Sequence, residues 1–213
     1  MSYSRDERRA LCALLDKTGP DAPTLCEGWT TGDLAAHLVL RESRPDAAAG
    51  VMGGPLAPYT ARMQQRLAAA KSYAELVAAF RDGPPRLSVF AIPRADEAAN
   101  TVEYFVHHED VRRGGDDWDP RELSADLTEA LWKRLKGARL FLRKLPVGVE
   151  LTREDSPGAA PYRVLRGGSP HVVAVTGTPA ELTLWAMGRV TASRVRFDGP
   201  KAAINALQAW RRG

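Results

Sequence analysis

Cysteine is nearly absent from this chain: Cys12 and Cys26 are the only two among 213 residues. That excludes a disulfide scaffold and a thiolate-rich zinc cluster, and both are expected as reduced thiols. No residues around Cys26 mark an activated thiolate. Long apolar runs are missing too. None approaches the ~18 residues a membrane helix needs, so no membrane span or membrane partner is expected. The start, Met-Ser-Tyr-Ser-Arg-Asp-Glu-Arg-Arg, lacks the apolar stretch of a signal peptide and points to a cytoplasmic protein. There is no block of like charge, and the net charge of +4 is mild. With no helix-turn-helix, zinc-finger or RNA-binding signature, a nucleic-acid partner is not expected. Apolar residues at 44% are enough for a real core.

Helical periodicity dominates the first two thirds of the chain. Residues 5–17 place Leu11, Leu14 and Leu15 on one face and stop at Gly19-Pro20. Thr30 is a good N-cap with Asp33 at N3, and Trp29 and Leu34 occupy the staple positions around it. That helix runs through His37 and Arg41 and must end before Pro45. A glycine-rich loop is expected over 47–58, then helices over 59–70 and, from a Ser72/Glu75 capping box, through Phe80. After an apolar loop over 87–92, a helix over 96–113 is closed by Gly114-Gly115. A long amphipathic helix follows over 124–145, with Leu127, Leu131, Leu135, Ala138 and Leu142 on one stripe.

At Pro146 the period changes to that of strands. Residues 147–151, 162–165 and 172–175 alternate, and Gly167-Gly168 fits a hairpin turn joining the last two. Thr178-Pro179-Ala180-Glu181 opens a helix, 195–197 reads as an edge strand, and 200–210 as a final helix. The expected organisation is a helical bundle over 1–145 and a small α+β unit over 146–213.

The scarce histidines are concentrated. Three of four fall in two helical segments: His37 in one, His107 and His108 in the other. Glu103 and His107 stand four apart and share a helix face, with Asp110 a further turn along. Two imidazoles and a carboxylate are the ligands of a catalytic metal site that keeps a position open. Taken singly, each has a plainer reading. His37 sits among Leu34, Ala35, Ala36 and Leu38 as a core histidine would, and Glu103 with His107 could be a surface ion pair. His108 competes with His107 for the role. His107 is preferred because Ala99, Val102 and Val106 place the apolar face beside it. His171, at a strand start, reads as a surface residue.

Residues 28–38, Gly-Trp-Thr-Thr-Gly-Asp-Leu-Ala-Ala-His-Leu, together with Glu103-Tyr104-Phe105-Val106-His107-His108-Glu109-Asp110, resemble the DinB-like metal-binding bundles. Within them the chain looks most like the mycothiol-dependent maleylpyruvate isomerase group. Residues 175–182 and 184–189 resemble the small C-terminal domain that accompanies the bundle there, so the likeness spans nearly the whole chain. The resemblance implies an α+β protein: a DinB-like four-helix bundle followed by a small α+β domain. It implies a divalent ion, zinc by preference with nickel or another ion as alternatives, on His37, Glu103 and His107.

By the same resemblance the partners are a small thiol, mycothiol, and an electrophilic substrate, and the activity is that of a thiol-dependent transferase or isomerase. Arg41, one turn beyond His37, and Arg189, after the C-terminal helix, are the candidate cationic clamps, each with an alternative as a surface or salt-bridging residue. Asp33 reads as a cap residue rather than a partner of a ligand imidazole. Two other functions remain open. Metal-activated water would make a hydrolase with Glu109 or Asp110 as base. A fourth ligand from His108 or Asp110 would close the site and leave a non-catalytic binding or sensor module.

Overall fold

The computed structural model describes residues 2–44, 46, 55–86, 88–138, 142, 145–164 and 171–210. The chain forms two compact units, Met1–Pro120 and Arg121–Gly213.

The first unit is helical. Helix α1 spans Tyr3–Thr18 and buries Leu11, Cys12 and Leu15. Helix α2, Thr31–Ser43, starts at the expected capping box, in which the Thr30 side chain accepts from the Asp33 N–H and the Asp33 carboxylate accepts from Thr30 N–H. Nine of its thirteen residues are buried, so it runs through the middle of the unit. Helix α3, Ala57–Ala70, begins two residues before the expected start because Pro58 fits a first helical turn. Residues 47–54 of the expected loop lie outside the described residues. Helix α4, Tyr73–Asp82, carries the second capping box at Ser72 and Glu75. Part of the expected apolar loop is a 3₁₀ turn at Val89–Ala91.

Helix α5, Pro93–Arg112, again starts early on a proline. Helices α1, α2, α4 and α5 supply the buried core, from Leu11 and Leu34 to Phe80 and Tyr104, while α3 adds only the partly buried Leu67 and Ala68. This is a four-helix bundle with α3 along one side.

Gly114 has a different role from the helix closure read from sequence. Neither Gly114 nor Gly115 adopts a left-handed conformation, and the cap residue is Arg113. A Cβ on Gly114 would lie 2.1 Å from the carbonyl oxygen of Pro23 and 2.8 Å from Cα of Thr24. The glycine lets the segment before α2 lie against the end of α5, where Leu25 N–H donates to the Asp110 carbonyl at 3.0 Å. Gly114→Ala is expected to cost about 1–3 kcal/mol, as forced overpacking does. Urea unfolding measures it, and an unchanged midpoint would show that the segment yields freely.

The second unit has its own core. Helix α6, Ala125–Arg134, capped by Ser124, continues into a 3₁₀ turn at Leu135–Ala138. Strands β1 (Gly148–Arg153), β2 (Tyr162–Val164), β3 (Val172–Gly177) and β4 (Arg196–Asp198) form a sheet in the order β2-β1-β3-β4. Helix α7, Pro179–Ala186, opens on the expected Thr178 cap, and α8 spans Lys201–Trp210. Val149, Leu151, Val173 and Val175 alternate into a core with Leu182, Trp185 and Leu207.

Two expectations differ here. The segments 162–165 and 172–175 were expected to pair as a hairpin. Instead β1 lies between them, antiparallel to β2 and parallel to β3. Strand β1 buries Val149 and Leu151 completely, which suits a central position, whereas β2 is only three residues long. The Gly167-Gly168 turn lies outside the described residues. The units also divide at Pro120/Arg121 rather than near 145. Leu135 and Leu142, on the stripe read as part of the bundle, belong with Leu145 to the core around the sheet. Residues 139–141 and 143–144 of the expected long helix lie outside the described residues. No helix among the described residues is long and apolar enough to cross a membrane.

Candidate metal centre

Helix α2 contributes His37; α5 contributes Glu103 and, one turn on, His107. Their ligand atoms all lie within 4.8 Å of one another. His107 Nε2 is 3.2 Å from Glu103 Oε1. His37 Nε2 is 3.6 Å from the same oxygen, beyond hydrogen-bond reach, and is buried with no hydrogen-bond partner. The His37 ring is 5.2 Å from that of His107 and 5.0 Å from that of Trp29.

Two of the three candidate ligands are held from behind. Asp110, fully buried, lies 2.8 Å from His107 Nδ1. The carboxylate accepts there, so that Nε2 becomes the lone-pair nitrogen once the ring gives up its second proton. Cys26 donates its thiol to the same Asp110 oxygen at 3.2 Å. Arg41 Nε stands 3.2 Å from Glu103 Oε1, while its terminal nitrogen donates to Asn100, which donates to Asp96 at 2.7 Å. Arg41 also stacks on Phe90, 4.9 Å from the ring centre. It is therefore tied to a candidate ligand rather than presented as a free clamp.

The charges follow. Burial lowers the His37 pKa and keeps that imidazole neutral. Burial acts against ionisation of Glu103 and protonation of His107 as well, but is outweighed at both. The imidazoles and the Arg41 charge hold Glu103 well below the usual range, and bonds to Asp110, Cys26 and Glu103 hold His107 well above it. A buried imidazole nitrogen without a partner costs about 1–3 kcal/mol. A divalent ion between the three side chains would give His37 Nε2 its partner and take over from the His107 proton in neutralising Glu103. The donor set fits such an ion.

The other sequence candidates fall elsewhere. His108 Nδ1 lies 3.1 Å from Glu7 on α1, away from the cluster. Glu109 is buried against Arg113 at 2.6 Å and Arg112 at 3.1 Å. Asp33 is spent on the α2 cap. Arg189 belongs to the second unit, where it donates to the Met187 carbonyl at 2.7 Å. His171 is exposed. Cys26 and Asn100 were missed. Nothing local marks them, because both reach the cluster through tertiary contacts.

The family model for the mycothiol maleylpyruvate isomerase N-terminal domain matches residues 3–112, just over half the chain. The chain belongs to this family. The match covers α1 to α5 and all three convergent side chains. Two solved structures share the fold beyond it: the mycothiol-dependent maleylpyruvate isomerase and a histidine-to-alanine mutant of it. Each has 18% sequence identity and a TM-score of 0.54, over 92% of this chain and 90% of that chain. At that identity the likeness is one of fold. No curated protein matches this chain.

Proposed function

We propose that this isomerase-family chain is a metal-dependent enzyme that activates a small thiol, mycothiol by family, for addition to a small electrophile. The observation that carries the reading is the orphaned, buried Nε2 of His37 beside Glu103 and His107. Bound there, a divalent ion such as zinc supplies a Lewis acid that lowers the pKa of a thiol and favours its thiolate. His37, Glu103 and His107 hold the ion. Asp110 fixes the His107 ring, Arg41 fixes the Glu103 carboxylate, and Trp29 packs beside His37. The thiolate sulfur forms a bond to the electrophilic carbon as the π pair of that carbon's double bond moves onto the conjugated acceptor group, from which it returns on elimination or takes up a proton. In an isomerase the resulting single bond rotates and elimination returns the thiol; in a transferase the protonated adduct leaves.

The partners of His108 and Asp110 favour this reading over a closed, non-catalytic site, since His108 pairs with Glu7 and Asp110 is taken up by Cys26 and the far nitrogen of His107. The same holds for hydrolysis, because Glu109 and Asp110 are both committed. The test is elemental analysis of the purified chain, followed by turnover with mycothiol and a panel of electrophiles that includes maleylpyruvate. Metal present with thiol-dependent turnover is the expected result; metal present with no thiol dependence would leave only a binding role.

Asp110 gives a finer check. Asp110→Asn keeps the shape but can present its amide donor to Nδ1, favouring the wrong tautomer. Metal affinity is expected to fall by about 10–100-fold, as loss of an outer partner of a ligand histidine does. Competition against a chelating dye measures it, and unchanged affinity would remove Asp110 from the site.

A further inference from the structure

The first unit contains a cavity of about 590 Å³ whose lining includes none of His37, Glu103 or His107. Five arginines line it, Arg5, Arg8, Arg9, Arg81 and Arg86, against only two aspartates. We propose that this cavity binds a small dianion of the phosphomonoester or dicarboxylate class.

The arginines differ in how they are engaged. Arg8 is buried in the floor and satisfied by Glu42 at 2.8 Å, the Phe80 carbonyl at 2.7 Å and the Tyr104 hydroxyl at 2.7 Å. Arg9 and Arg81 pair with Asp6 and Asp16, neither of which lines the cavity. Arg5 and Arg86, both exposed, have no ion-pair or hydrogen-bond partner among the described residues. Of the two acids, Asp96 is buried and already accepts from Ser4 and Asn100, with Arg8 at 3.7 Å. The Cys12 thiol in the floor is pushed up to about 11 by burial and adds no negative charge.

Arg5 and Arg86 thus offer the cavity guanidinium groups with no carboxylate of their own, against the single exposed carboxylate of Asp82, and guanidinium groups match the paired oxygens of phosphate and carboxylate. The N-terminal end of α5, with Pro93 in the lining, adds a partial positive charge. The volume falls within the ~300–1,000 Å³ of small-molecule sites, which favours a small anion over an extended polyanion.

Calorimetric titration of the whole chain with inorganic phosphate and with succinate, at constant ionic strength, tests this. Both metal-loaded and metal-stripped protein are used. Saturable binding of one or both dianions is expected in both forms, and the preferred probe distinguishes the two ligand sources. Arg5→Gln combined with Arg86→Gln should weaken it about tenfold or more. Arg62→Gln with Arg66→Gln makes the same change of charge at exposed positions on α3 and should leave affinity within about twofold.

Several results would overturn the proposal: no saturation with either dianion, equal weakening in the control pair, or binding that disappears with the metal. Binding of single-stranded DNA alone would identify a charged surface instead.

Discussion

Replacing His37 by alanine is expected to leave the chain folded and deprive it of its metal. In the metal-free protein His37 Nε2 is buried without a partner, so its removal relieves a cost of about 1–3 kcal/mol while opening a small cavity. The two effects oppose each other, and metal-free stability should change little. The loaded protein behaves differently. Only Glu103 and His107 would remain as ligands, and affinity should fall by more than the ~10–100-fold that an outer partner is worth. The signature is a lost response. Saturating zinc should stabilise the native chain by ~2.7 kcal/mol at about a hundred times Kd and should not stabilise His37→Ala. Thiol-dependent turnover should vanish with it. A variant that unfolds in the absence of metal, or that keeps the full zinc response, would make His37 a core residue.

The second large effect concerns stability. Arg8, Glu42 and Tyr104 form a buried group in which Arg8 is the cation. Burial already raises the pKa of Glu42, and the Arg8 guanidinium opposes that rise. Arg8→Met leaves the carboxylate buried beside the Tyr104 hydroxyl without a cation. The expected loss is roughly 3–5 kcal/mol at neutral pH, the cost of breaking a buried pair by removing one partner. The pH dependence has a definite sign. A carboxyl whose folded pKa lies above its unfolded value destabilises the fold above the folded pKa and ceases to do so below the unfolded one. The deficit of Arg8→Met should therefore shrink as pH falls from 7 towards about 4. Adding Glu42→Gln should recover part of the loss, giving a non-additive cycle in urea unfolding. A deficit that is independent of pH and additive with Glu42→Gln would show that Arg8 acts through packing alone.

What could be read from the sequence was whatever its own period encodes. The Thr30/Asp33 and Ser72/Glu75 capping boxes are local and stand where the spacing puts them. That Glu103 and His107 share a face follows from helix geometry, and the choice of His107 over His108 rested on the apolar residues beside it. What could not be read depends on contacts between distant segments. The bond between Cys26 and Asp110 spans 84 residues, and the contact of Arg41 with Asn100 spans 59. Arg41 was read as a clamp because its position beyond His37 is visible, whereas Glu103 as its partner is not. The strand order failed for a similar reason. Alternation marks 162–165 and 172–175 as strands but carries no record that β1 separates them.

The side chains linking Glu103 through Arg41, Asn100 and Asp96 to Arg8 come from α2, α5 and α1. Helix α1 gives no candidate ligand, yet its Arg8 completes the chain of contacts behind one. A disturbance of α1 therefore reaches a candidate ligand through Asp96, Asn100 and Arg41 without touching it.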